Sequence, residues 1–193
     1  MGDPFELLGL PRRPWLDADE VRRAYQERAR EMHPDRDGGD AERFAELNAA
    51  QAVLTGHASR LRELLDGQTG IPSMPANAEL GFRIATALRR ADAACAGLPA
   101  DSLRRALALT ERRKAADEIA SLDEEIGRHL ADAEERLRAA DAGNPDAQEL
   151  AALAGEFVFL ERWASQVRAR RLELELLGSG VDGVLQTRKD SQE

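Results

Sequence analysis

His33-Pro34-Asp35 sets an imidazole, a residue of fixed φ and a carboxylate side by side. Proline cannot continue a helix, so it fixes a turn, and that turn presents Asp35 as an anionic acceptor with His33 as a neighbouring donor or acceptor. Taken alone, the tripeptide reads as turn chemistry, because Asp bonds readily to nearby backbone and Pro punctuates helices. Just upstream stand Arg22, Arg23, Arg28 and Arg30. They are either a solvated helix face or a basic surface that steers an acidic partner surface. His33, His57, His129 and Cys95 lack zinc-ligand spacing, and each reads as an ordinary surface, turn or small apolar residue. No phosphate loop, nucleophile elbow or paired-carboxylate signal rises above the general density of Glu and Asp. No metal, no cofactor and no catalytic residue is therefore expected, and the chain is not expected to be an enzyme.

The tripeptide sits between two amphipathic segments. Asp17 is placed to cap a helix, with Glu20 at the capping-box spacing, and Val21, Tyr25, Ala29 and Met32 make one apolar stripe along it. That helix must stop near His33, and Asp35 to Asp40 is a polar loop. A second helix follows, with Phe44, Leu47, Gln51 and Leu54 at helical spacing and Gly56 as its natural C-cap. Before the pair, Asp3 and Pro4 open one or two turns ending at Gly9. After it, a short helix from His57 to Asp66 closes the base of the hairpin.

Across 193 residues, 42% are hydrophobic, 33% charged and only 4% aromatic. Ala, Leu, Glu and Arg dominate, so propensity favours an all-α protein. The net charge of -9, with both halves acidic, disfavours a nucleic-acid partner. No apolar run reaches spanning length and the start has no signal-peptide pattern, so a cytoplasmic protein with no membrane partner is expected. A single cysteine fits a reducing compartment. The expected organisation is a first domain over 1–67, a linker over 68–77 carrying Gly70, Pro72 and Pro75, a helical bundle over 78–177 and a flexible tail over 178–193. In the bundle, Leu80, Ile84, Ala87, Leu88 and Ala91 mark one helix. No proline interrupts Asp101 to Ala142, about 63 Å as a continuous helix at ~1.5 Å per residue, and a break or kink is expected within it. Ile119, Leu122, Ile126, Ala133 and Leu137 should pack antiparallel on Leu150, Leu153, Phe157, Leu160, Ala164 and Val167.

In this context the tripeptide resembles the His-Pro-Asp motif of J-domain co-chaperones. The residues that carry the resemblance are Phe5-Glu6-Leu7-Leu8-Gly9-Leu10, the stripe Val21, Tyr25, Ala29, the motif itself, Arg36, and Phe44-x-x-Leu47-Asn48-x-Ala50. They cover about the first third of the chain. The resemblance implies docking on a DnaK/HscA-class ATPase through the loop and the second-helix face, with His33, Pro34 and Asp35 triggering hydrolysis by the chaperone, Asp35 accepting from a partner Arg, and Arg22, Arg23 and Arg30 in contact with it.

Gln26-Glu27 follows Tyr25 where generic J domains often carry a basic pair. This acidic pairing, with Leu8-Gly9-Leu10-Pro11, Leu16-Asp17 and Arg30, is similar to HscB, the J-type co-chaperone family of iron-sulfur cluster assembly. No Gly/Phe-rich or cysteine-rich segment of the general DnaJ type follows. The HscB resemblance implies a carboxy-terminal three-helix bundle that binds an IscU-like scaffold. Phe159-Leu160-Glu161-Arg162-Trp163 is similar to the family's last-helix sequence. Phe159 and Trp163, one turn apart and off the Leu153, Phe157, Leu160 stripe, are expected as an exposed pair, or else as cover for a broad core. For the family's Leu-rich acidic motif on the first bundle helix, Leu103, Leu107 and Glu111 are candidates, and Leu80 to Leu88 competes. Two alternatives stay open: a J-domain adaptor for a different client, and a coiled-coil scaffold in which His33 to Asp35 is only a loop.

Overall fold

A computed structural model describes residues 2–32, 41–66, 78–143 and 145–189, with side chains described through Leu177. Among these residues every element is a helix: α1 Pro4–Leu8, α2 Ala18–Met32, α3 Ala41–Thr55, α4 His57–Leu64, α5 Ala78–Cys95, α6 Ser102–Gly143 and α7 Ala147–Lys189. The all-α architecture read from composition is the one found. His33 to Asp40 and the expected linker over 68–77 lie outside the described residues, as do residues 190–193.

Local chemistry explains most helix ends. Asp3 accepts from the Phe5 N–H at 2.8 Å, Pro4 takes the first helical position, and Gly9 ends α1 at φ +67°, a left-handed conformation that favours glycine. Asp17 caps α2 by accepting from the N–H groups of Asp19 and Glu20 at 2.8 and 3.3 Å. The reciprocal half of the capping box is absent, because the Glu20 carboxylate accepts instead from Arg13 at 3.3 Å. Gly56 differs from expectation too. Its backbone is extended, φ -80° and ψ 133°, and it is the N-cap of α4 rather than a left-handed stop for α3. The break expected within 101–142 does not occur: α6 is one helix, and no proline within it removes a backbone donor. In α7 helical backbone continues past Gly178, where composition pointed to fraying, as far as Lys189.

The chain forms two compact units. In the first, α1 to α4 belong with Ala131–Val158, the end of α6 and the start of α7. Phe5, Leu8, Leu16, Val21, Leu47, Ala50 and Leu54 make its buried core, with Tyr25, Ala29 and Met32 against it. Arg60 is buried there. Its guanidinium donates to Pro14 O, in the segment before α2, at 2.9 Å and to Leu54 O at 2.7 Å, the latter one of the carbonyls that the last turn of α3 leaves free. The His57 ring stacks on Phe157 at 4.6 Å and on Trp15 at 6.0 Å. Arg138 lies 4.2 Å over the Trp15 ring, and Asp141 accepts from the Trp15 N–H at 3.2 Å.

The second unit takes α5, α6 up to Leu130 and α7 from Phe159. Leu80, Ile84, Ala87, Ala91, Ala115, Ile119, Leu122, Ile126, Ala164, Val167 and Leu174 fill its core, which is the apolar patterning of the sequence meeting across three helices. Buried Arg112 donates to Ala94 O and Ala96 O at 3.0 and 3.2 Å, capping the carboxyl end of α5. Ion pairs lace the surface. Arg83 grips both Glu125 oxygens at 2.8 and 2.7 Å, and Asp123 receives Arg168 and Arg171 at 3.4 and 2.9 Å.

Candidate functional site

α2 and α3 flank the His33-Pro34-Asp35 segment, which itself lies outside the described residues. What the structure places is the surface leading to it. Val21 is buried and Tyr25, Ala29 and Met32 pack beside it, so by helical geometry the opposite face presents Arg22, Arg23, Gln26 and Arg30, all exposed. The three arginines singled out from the sequence share this face. Arg28 does not, being half-buried against Gly9 and paired with Glu31 at 3.6 Å.

Asp19 organises the amino-terminal part of the stripe. Its carboxylate pairs with Arg22 at 2.7 Å while its backbone carbonyl accepts from Arg23 Nε at 3.2 Å. Both are exposed contacts, which hold geometry more than they hold energy. The Tyr25 hydroxyl donates to Asn48 Oδ1 at 2.7 Å and ties α2 to α3. Both residues carried the sequence resemblance, but the bond between them could only be found from the pairing of the helices.

The proposed client residues fall into two separate sets, both in the second unit. Phe159 and Trp163 lie with ring centroids 5.8 Å apart. They are half-buried rather than exposed, because Trp163 packs on the core and its indole edge fills the space left by Gly81. Leu103 and Leu107 are 69% and 59% exposed on α6, and Glu111 pairs with Lys114 at 2.8 Å one turn further on. These three sit on the second helix of the bundle, since α5 is the first. The Asp123–Arg171 ion pair sets α6 against α7. Counted along the axis from that pair at ~1.5 Å per residue, the leucines stand about 40 Å from the aromatic pair. The structure does not bring the two sets together. In the competing segment Leu80, Ile84 and Ala87 are buried, which removes them as contact residues.

Phe82 was missed. It is 73% exposed on α5, beside an open cavity of about 330 Å³ whose lining includes Thr86, Ser121 and Leu122. Its position off the Leu80, Ile84, Ala87, Ala91 stripe was the available signal. Among the described residues no group of His, Cys, Asp and Glu is arranged to hold a metal ion, and no helix is long and apolar enough to cross a membrane.

Comparison with known proteins divides along the chain. Residues 3–62 match the DnaJ domain family. The chaperone protein DnaJ of Gloeothece citriformis is 39% identical over 74 residues, 37% of this chain and 19% of that protein. DnaJ homolog subfamily C member 4 of Mus musculus is 44% identical over 59 residues, 29% of this chain and 23% of that protein. The matched stretch thus spans less than a quarter of either relative. Over nearly the whole length, the fold is similar to that of chaperone HscB from Vibrio cholerae, with a TM-score of 0.53 and 16% identity, covering 93% of this chain and 99% of that one.

Proposed function

From a chain that carries a J domain over residues 3–62 and has a fold similar to that of HscB, we propose a co-chaperone that stimulates ATP hydrolysis by a DnaK/HscA-class chaperone and delivers a client to it. The observation that carries this reading is the J-domain match together with the exposed face of Arg22, Arg23 and Arg30 running along α2 toward His33-Pro34-Asp35. A basic helix face of this kind steers association with an acidic partner surface, and the carboxylate of Asp35, next to Pro34 in the sequence, suits a charge-assisted contact to a partner Arg. The client in this reading is an IscU-like iron-sulfur scaffold. It rests on the HscB resemblance of Phe159-Leu160-Glu161-Arg162-Trp163 and on the similar fold. Within this reading the chemistry belongs to the chaperone.

Single-turnover ATP hydrolysis by a DnaK-class chaperone tests the first part. His33→Gln abolishes the stimulation with helicity unchanged, and Arg22→Glu with Arg30→Glu slows association, an effect that added salt mimics in the unaltered protein. Full stimulation by the His33→Gln protein sinks the J-domain function. Retention of an IscU-like scaffold in a pull-down tests the client separately, and its failure leaves the chaperone partnership standing.

A further inference from the structure

Leu172 and Leu176 are 56% and 66% exposed on α7, away from the buried stripe of Leu160, Ala164, Val167 and Leu174 on the same helix. One and two turns earlier on the outer face come Ala169 and Ser165, both exposed. Positions 165, 169, 172 and 176 step by alternating fours and threes, which is the spacing of a coiled-coil seam. The seam is graded, small side chains at its amino-terminal end and large ones at its carboxy-terminal end.

We propose that a second copy of this chain docks antiparallel on the outer face of α7. Antiparallel pairing sets Leu172 of each copy over Ala169 of the other and Leu176 over Ser165, so each large side chain meets a small one. A parallel pair would stack leucine on leucine and leave a gap at serine. The flanking charges agree with the antiparallel choice. Arg168 and Glu175 hold equivalent positions on one edge of the seam, with side chains 63% and 57% exposed, and in an antiparallel pair residues of the same edge face each other. Arg168 of each copy therefore meets Glu175 of the other, twice across the dyad, as an isologous interface requires. Within the chain these two side chains pair with Asp123 and Arg171 at 3.4 and 2.9 Å, and the dimer extends those pairs into a network. A seam this short falls below the ~800 Å² per partner of a standard stable interface, which makes the dimer concentration-dependent.

Sedimentation velocity of the full chain, from roughly 10 μM to 1 mM, is the test. The average mass rises from 21.2 kDa toward twice that value. Leu172→Glu, with unchanged circular dichroism because the side chain is exposed, weakens association about tenfold or more. Arg168→Glu also weakens it, and adding Glu175→Arg restores it. A monomer at every concentration, or a dimer indifferent to Leu172→Glu, overturns the proposal. Restoration by Glu173→Arg in place of Glu175→Arg overturns the antiparallel arrangement, because in a parallel pair Arg168 faces Glu173.

Discussion

A methyl group at position 81 would stand 2.6 Å from Cζ2 and 3.1 Å from Cη2 of Trp163, and an indole seated on a core cannot slide away as a flexible side chain would. Gly81 is thus the socket for Trp163. Alanine gains about 1 kcal/mol over glycine in a helix interior, while overpacking of this kind costs about 1–3 kcal/mol. Gly81→Ala should therefore lower stability by about 1 kcal/mol net, and Tm by about 2–4 °C in a chain of this size. In a Trp163→Leu background, where the obstacle is gone, the same change should raise Tm. A rise in both backgrounds would mean that the indole does not occupy the socket. The glycine, in the first turn of α5, is plain in the sequence, but its partner is not, because the two residues meet only through tertiary packing. Arg60 is a second case. It stands between Ser59 and Leu61 on α4, and the carbonyls of Pro14 and Leu54 that hold it in the interior are brought from two other segments, so nothing local announces its burial. The exposed arginines of α2 were legible for the opposite reason: Arg22, Arg23 and Arg30 follow from helical spacing within α2 alone.

Elements that carry their own signals were read closely from the sequence. Asp3, Pro4 and Gly9 fix both ends of α1, and the stripes of α2, α3 and α5 point into the cores they form. Gly56 was misassigned because glycine suits either end of a helix, and α4 starts so soon after α3 that one residue separates them. Between α5 and α6, Arg83 and Glu125 make a bidentate pair that periodicity does not announce. Hydrogen bonding from Arg83 holds the Glu125 carboxyl below its ordinary value of 4.5. A carboxyl depressed in the folded state binds fewer protons there than in the unfolded chain. Its stabilising contribution is therefore present above about pH 4.5 and lost as pH falls through the depressed folded value. Glu125→Gln should lower Tm modestly near neutrality, where exposure of the pair screens it, and the difference should close on acidification through the depressed folded value. Thermal melts of both proteins across that range measure it. A gap that persists or widens in acid would show that the glutamate acts through packing rather than charge.

For the whole molecule, the grouping of Ala131–Val158 with the first four helices is the feature that the sequence marks least. It crosses two helices with no proline, glycine cluster or change of composition at the crossing points, because the contacts that create it are made by single residues far away in the chain. His57 on α4 and Trp15 before α2 supply the rings, Phe157 supplies a fully buried third, and Arg138, Asp141 and Glu134 supply the charges around them. If these contacts hold the unit together, damage at Phe157 must be felt in α1 to α4, although Phe157 lies outside the DnaJ-type sequence over residues 3–62. Deleting a buried phenylalanine costs about 3–5 kcal/mol. Phe157→Ala should therefore accelerate amide exchange not only in α7 but also in α4 and the segment around Trp15. Val167→Ala, which removes buried volume from the core of the other unit, supplies the control: it should loosen its own surroundings and leave exchange in α4 as it was. Hydrogen-exchange mass spectrometry on the two full-length variants reads both effects in one experiment. Equal loss of protection in α4 from both substitutions would mean that the chain opens as one cooperative body. Loss from neither would mean that the aromatic stack only decorates a J domain that holds itself together.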